Sequence, residues 1–303
     1  MPNWNQILQE VGARQAQANQ AFDLVRRKYL TELHNFTGRN VIAYYSGWLS
    51  KPTVGGLQIN DEDKNGFMMA VHGLDRSKGL DLVLHTPGGA ISATQSIVDY
   101  LHKMFKNDIR AFVPQIALSA GTMIACSCKE IWMGKQSNLG PIDPQLSGVP
   151  AYGVLKEFKT ACKEVKADPK KTAIWQSIIG QYRPTFLSQC DNSIQWSNDF
   201  VRQQLASVMF NGDPSAKSKA AGIVKKLSSY SKNRTHDRHI HYDECLGMGL
   251  KVLAMESDHT LQDLVLSIHH CYMHAFMNTP ACKVIENQLG VALFKHAQVP
   301  PRQ

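Results

Sequence analysis

Apolar and polar positions along this chain change period several times, and each change marks an element. From Trp4 to about Phe36 breakers are few and apolar residues recur at Ile7, Val11, Phe22, Val25 and Leu30, which predicts one or two helices. Asn40–Ser46 is instead a β-branched and aromatic run ending near Gly47, the pattern of a strand. After a loop rich in Pro and Gly, Asn60-Asp61-Glu62-Asp63 supplies caps for a helix through about His72. Continuous apolar runs then alternate with helical ones. Residues 80–85, 109–114 and 130–134 read as strands, and 90–106 and 119–129 as helices. Strands without polar alternation, separated by helices, predict βαβ units and a parallel sheet covered on both faces.

Beyond the irregular stretch 137–144, residues 156–167, 173–182 and 184–210 carry helical patterns, and Asp213-Pro214 opens another helix through about Leu227. A short helix with a glycine stop is predicted near 242–249. A helix follows over 261–277, then a hairpin over 283–295 turning at Asn287-Gln288-Leu289-Gly290. The organisation predicted is an α/β core over residues 37–255, an N-terminal helical segment over 1–36, and a C-terminal helix-and-hairpin extension over 256–303.

Composition narrows the class. The 303 residues are 43% apolar and 19% charged, as in a globular protein. No apolar run reaches the roughly 18 residues that span a bilayer. Met1-Pro2-Asn3-Trp4-Asn5-Gln6 does not read as a secretory leader, and seven cysteines, an odd number, favour reduced thiols, so a cytoplasmic location is expected. The net charge of +8 sits partly in Lys156, Lys159, Lys163, Lys166, Lys170 and Lys171, at nearly helical spacing. Such a stripe is usually a solvated face. With no zinc-finger, RNA-recognition or helix-turn-helix signature, no nucleic-acid partner is expected.

The chemistry is carried by two strand-to-helix corners, His85-Thr86-Pro87-Gly88-Gly89 and Leu118-Ser119-Ala120-Gly121-Thr122. A strand that stops at glycines and passes into a helix leaves backbone N–H groups bare, and these suit a carbonyl oxygen that becomes negative. Side by side, the corners make an oxyanion hole from Gly88, Gly89 and Ala120, with Ser119 as the attacking nucleophile. The competing reading of Ser119 is a helix N-cap bonded to the N–H of Gly121 or Thr122.

The succession strand-Thr-Pro-Gly-Gly-helix, then Ser-Ala-Gly-Thr-helix, then Asn138-Leu139-Gly140-Pro141-Ile142-Asp143-Pro144-Gln145-Leu146 resembles the Clp protease/crotonase superfamily. Within it, the chain is most similar to the serine dehydrogenase proteinases, relatives of the signal peptide peptidase A group. The likeness is specific over about residues 40–146 and weaker over 241–250. It implies a ClpP/crotonase-like fold and a self-assembling serine peptidase that acts on peptide or protein substrates. It also implies the nucleophile position for Ser119 and oxyanion positions for Gly89 and Ala120.

The base stays open at this level. The Clp branch has a histidine some two dozen residues past the serine, where this chain reads Leu139-Gly140-Pro141-Ile142-Asp143-Pro144. The signal-peptide-peptidase branch uses a lysine, which points to a Ser–Lys dyad with Lys156, bordering the stripe Leu155, Phe158, Cys162 and Val165, or with Lys159. His236 and His239, with Asp237 or Asp243 to orient the ring, are the alternative. His269, His270, Cys271 and His274 share one helical segment, and His270 and His274 have i, i+4 spacing, but no Glu follows His270 as in a zinc protease motif, and Cys126 and Cys128 stand closer than zinc ribbons use, so no metal is expected. No cofactor is expected either, since no Gly-x-Gly-x-x-Gly loop is present. Peptide main chain is expected along a strand edge near residues 139–142. The competing functions are a crotonase-like acyl-CoA enzyme and a non-catalytic assembly scaffold.

Overall fold

A computed structural model describes residues 4–14 and 21–297. The expectations for residues 1–3, 15–20 and 298–303 fall outside the described residues. Helices α1 (Trp4–Arg14) and α2 (Ala21–Thr37) precede strand β1 (Asn40–Ser46) and α3 (Asp63–Val71). Next come β2 (Leu80–His85), α4 (Ile91–Phe105), β3 (Ile109–Val113), β4 (Ile116–Ala117), α5 (Ala120–Cys126) and β5 (Glu130–Met133). The short strands β6 (Asn138–Leu139), β7 (Gln145–Leu146) and β8 (Val149–Pro150) lead into α6 (Ala151–Ala167), α7 (Thr172–Ile179), α8 (Phe186–Gln204), α9 (Ala216–Leu227) and α10 (Tyr230–Asn233). The last described elements are β9 (Ile240–His241), α11 (Tyr242–Met248), β10 (Val252–Ala254), α12 (His259–Asn278), β11 (Ala281–Asn287) and β12 (Ala292–His296).

Among the described residues the central sheet has seven strands in the order β10-β5-β3-β2-β1-β11-β12. It is parallel from β10 to β1 and ends in the antiparallel hairpin β11–β12. Successive side chains of a strand point to opposite faces, and both faces here are covered. Ile42, Tyr44, Leu82 and Leu84 join the core made with α3, α4, α5 and α9. Val41, Ala43, Tyr45 and Val83 pack instead against Leu30 and Leu33 of α2 and Val265, Ile268, Tyr272 and Phe276 of α12. This is the α/β, mostly parallel arrangement that the apolar pattern predicts.

Two differences from the sequence pattern matter for the site. The strand predicted through residue 114 stops at Val113, because Pro114 has no N–H for the ladder. The chain restarts two residues later as β4, which leaves the central sheet to pair with β6. The helix predicted to begin at Ser119 begins at Ala120. The C-terminal hairpin also has a structural place: β11 pairs with β1 over Ile42–Ser46, inside the central sheet. Glu286 on β11 receives the buried Arg26 guanidinium of α2 and, at 3.0 Å, the Tyr272 hydroxyl of α12, joining three elements on one carboxylate.

The same face buries two histidines, His85 at the tip of β2 and His269 on α12, with ring centroids 5.1 Å apart. Loss of hydration holds both imidazoles neutral. His85 is pushed well below its ordinary value by burial and then by His269, and His269 is pushed down to about 3 by burial and then by His270. The unfolded chain therefore binds protons that the folded chain refuses, and stability falls as pH drops from about 6.5 toward 3. Urea unfolding at pH 7 and pH 5 is expected to show a flatter pH dependence for His269→Phe than for the wild type; equal slopes would contradict this account.

Candidate active site

Beyond the central sheet, the two glycine corners are laced together. Thr86 bridges to Ala117, donating its N–H to Ile116 O at 3.2 Å and accepting from Leu118 N at 3.1 Å. Gly88, at φ +93°, then passes so near the second corner that a Cβ there would sit 2.7 Å from Ser119 Cβ and 3.0 Å from Ala120 N. Only glycine fits both the conformation and the space. Gly121 makes the reciprocal approach, since a Cβ on it would meet Thr86 Cγ2 at 2.6 Å.

Gly89 is set by a third segment. Ile59 donates its N–H to Gly88 O at 2.8 Å and accepts from Ala90 N at 2.9 Å, so the pairing brackets Gly89 and leaves its N–H without an acceptor among the described residues. The Gly88 N–H turns to Thr86 Oγ1 at 3.2 Å. Ala120 N–H, at the start of α5, is also unengaged among the described residues. The Ile59 segment is itself anchored from below. Asp63 accepts from Asn60 N at 3.0 Å and from the Tyr44 hydroxyl at 2.8 Å. Fully buried Lys283 of β11 donates to Asp63 Oδ1 at 2.8 Å and to Gln58 O at 2.9 Å. Burial pulls the Lys283 amine below its ordinary value, opposed by the Asp63 charge.

Ser119 occupies φ +52°, ψ −116°, an uncommon backbone for a residue with a Cβ, and its hydroxyl makes no cap bond to α5. Holding such a conformation costs about 1–3 kcal/mol. Ser119, Gly89 and His236 line one cleft of about 510 Å³, whose apolar walls include Met123, Ile142, Leu146 and Trp196. His236 Nδ1 lies 3.1 Å from Asp143 Oδ1, and Gln145 Nε2 donates to the other oxygen of that carboxylate at 3.2 Å. Asp143 is buried, and the backbone just before it is held on both sides. Ile142 N donates to Leu227 O at 3.2 Å, and Ser197 Oγ to Ile142 O at 2.7 Å. Thr122 Oγ1 lies 2.9 Å from Ala117 O and accepts from Gly140 N at 2.9 Å, tying the same loop to α5.

The structure thus brings Ser119, Gly88, Gly89 and Ala120 together with His236. It does not bring Lys156 or Lys159 to them. Helix α6 buries Ala151 and Val154 against Phe186, Cys190 and Ile194 of α8, while both lysines stay exposed on a separate cleft with Lys225. His239 is exposed and outside the Ser119 cleft, and His85 faces the opposite side of the sheet, its ring tilted against Trp48 with centroids 4.4 Å apart. The carboxylate at His236 is neither Asp237, which accepts from Thr235, nor exposed Asp243. It is Asp143, a residue that sequence reasoning passed over because 93 positions separate it from the histidine. Its only local signal is the irregular Gly140-Pro141-Ile142-Asp143-Pro144 loop. The strand edge expected near residues 139–142 is occupied on both sides, since β6 lies between β4 and β9. Among the described residues no group of three or more His, Cys, Asp or Glu is placed to hold a metal.

The chain belongs to the family of ClpP-like SDH-type serine proteinases, whose family model matches residues 13–285. It is 31% identical over 199 residues to an uncharacterized protein of Methanocaldococcus jannaschii, a match covering 58% of this chain and 68% of that protein. A second uncharacterized protein of the same organism is 28% identical over 194 residues, covering 64% and 59%. Over 75 residues the chain is 31% identical to the ATP-dependent Clp protease proteolytic subunit 2 of Thermobifida fusca, covering 24% of this chain and 36% of that subunit. The chain therefore spans only part of the length of each of these relatives. No helix among the described residues is long and apolar enough to cross a membrane.

The crowding at Gly89 gives a stability prediction independent of activity. A Cβ there would lie 2.3 Å from Ile59 O and 2.4 Å from Ile59 N. Gly89→Ala is expected to cost about 1–3 kcal/mol in urea unfolding, whereas Gly12→Ala, which meets nothing within 4 Å, is expected to be neutral or slightly stabilising. Equal effects would contradict the close approach.

Proposed function

We propose that this chain is a serine peptidase in which Ser119 is the nucleophile, His236 the general base and Asp143 the carboxylate that orients the histidine. The observation that carries this reading is the shared cleft: Ser119, Gly89 and His236 line it together, and the Nδ1 side of His236 is held by Asp143. With Nδ1–H donated to Asp143, the neutral imidazole presents Nε2 as an acceptor for the serine proton. Ser119 Oγ attacks the peptide carbonyl as His236 takes that proton. The N–H groups of Gly89 and Ala120 receive the oxygen as it becomes negative. His236 then protonates the leaving amine, and water attacks the acyl-enzyme by the same proton route in reverse.

This assignment takes the place of a Ser–Lys dyad, because Lys156 and Lys159 line another cleft. It uses the chain order Ser119, Asp143, His236, with the carboxylate where the Clp branch has its histidine. For the substrate, among the described residues β7 pairs with β8 alone, and its two residues, Gln145 and Leu146, line the Ser119 cleft. An extended peptide adds to the open edge of β7 through backbone hydrogen bonds, while Met123, Ile142 and Trp196 receive an apolar side chain. Self-assembly into a homo-oligomer belongs to the same proposal, and sedimentation of the purified chain reads it.

A fluorophosphonate probe and a fluorogenic peptide test the reading together. Wild type is expected to be labelled and Ser119→Ala not. His236→Ala is expected to lower peptide turnover by about 10²–10⁴-fold, the usual worth of a general base. Asp143→Asn is expected to lower turnover with the fold intact. Folded wild type that resists labelling would contradict the peptidase reading, and full turnover in His236→Ala would contradict the base.

A further inference from the structure

The basic stripe singled out in the sequence takes no part in the chemistry above, yet two of its lysines do not simply face solvent on a convex surface. Lys156 and Lys159 stand one helical turn apart on α6, and Lys225 faces them from α9 across a cleft of about 620 Å³. Among the described residues none of the three ammonium groups is paired with a carboxylate. Asp191 of α8 also lines the cleft, and its Oδ2 accepts from Gln195 Nε2 at 2.6 Å. The cleft therefore keeps an excess of two positive charges, three lysines against one aspartate. Like charges one turn apart on a helix repel, a small but real cost that the fold leaves uncompensated.

The remaining lining is rich in hydroxyls. Ser229, Tyr230 and Ser231 lie at its rim with no side-chain hydrogen bond to the described residues, while Ser228 Oγ is spent on Val224 O at 2.8 Å. Tyr152 OH accepts from Asn198 Nδ2 at 3.1 Å, which leaves its own proton to donate. Several ammonium and hydroxyl donors around one concavity match the tetrahedral oxygens of phosphate better than a planar carboxylate. The volume is that of a small-molecule site rather than of a nucleic-acid groove.

We infer that the α6–α9 cleft is a binding site for a small molecule bearing clustered phosphates, held by Lys156, Lys159, Lys225 and the hydroxyls of residues 229–231. Its position gives it a second meaning. Residues 229–231 begin the connection from α9 to β9, and His236 lies five to seven residues further along the same connection. Within it, Asn233 Nδ2 donates to Leu227 O at 2.8 Å, and Arg238 donates to Asn233 Oδ1 at 3.2 Å. A ligand that fixes the first hydroxyls of this connection stiffens the segment that presents His236 to Asp143. That consequence rests on the proposed role of His236; the binding itself does not.

Inorganic tripolyphosphate is the probe, titrated calorimetrically into the full chain at low salt. Replacing Lys156, Lys159 and Lys225 together by Gln is expected to weaken binding about tenfold or more. Replacing Lys163, Lys166 and Lys170 by Gln removes the same net charge from the exposed side of the stripe and is expected to leave binding unchanged. Ser119→Ala is expected to bind as wild type does, so failure of the peptidase reading does not enter the result. Hydrogen exchange over residues 229–237 is expected to slow when the probe is bound. Equal losses in both triple variants, or no binding by the wild type, would overturn the proposal. So would binding without that protection. Binding of the chain to vesicles containing phosphatidylinositol bisphosphate that excess tripolyphosphate does not displace would overturn it in favour of a lipid headgroup.

Discussion

The close approach of Gly88 to Ser119 is the constraint on which the site depends. Two βα corners that leave one parallel sheet normally point the same way without touching. Here the Thr86–Ala117 bridge draws them together until no Cβ fits at Gly88 or Gly121. The contact is a backbone one, so it does not rely on flexible side chains to hold its geometry. It forces Ser119 into an uncommon conformation that keeps its hydroxyl off the helix it begins. A serine positioned this way cannot serve as an ordinary N-cap, which separates the catalytic reading from the structural one more clearly than the motif does.

Support for that contact comes from distant parts of the chain. Lys283, on a strand near the end of the described residues, reaches Asp63 and Gln58, and through them sets the Ile59 segment that brackets Gly89. Glu286, three residues on, joins α2 and α12 to the same strand. Removing one member of a fully buried pair strands the other charge, so each of these links costs far more to break than a surface ion pair. The hairpin β11–β12 is therefore part of the support of the Gly88-Gly89 corner, though nothing in its own sequence marks it as such.

What was legible in the sequence is what is encoded locally. Asn40–Ser46 and Leu80–His85 announce themselves as strands by unbroken apolar runs, and the two glycine corners announce a turn where backbone must come close to something. The parallel, doubly covered sheet follows from their alternation with helices. Features settled by distant partners were not legible. The face of α6 that is buried depends on where α8 lies, and that placement turns Lys156 away from Ser119. Asp143 and His236 meet where Leu227 and Ser197 hold the Ile142 backbone, a relation without periodicity or spacing to betray it. The occupied edges of β6 similarly depend on β9, a two-residue strand too short to leave a pattern.

The most direct measurement is a crystal structure of the wild-type chain after reaction with a fluorophosphonate, whose tetrahedral adduct imitates the intermediate of acyl transfer. The account predicts phosphorus bonded to Ser119 Oγ, one phosphoryl oxygen within hydrogen-bond distance of both Gly89 N and Ala120 N, and His236 Nε2 beside the serine oxygen. An adduct whose oxygen points away from both amides, or one formed on another residue, would contradict it.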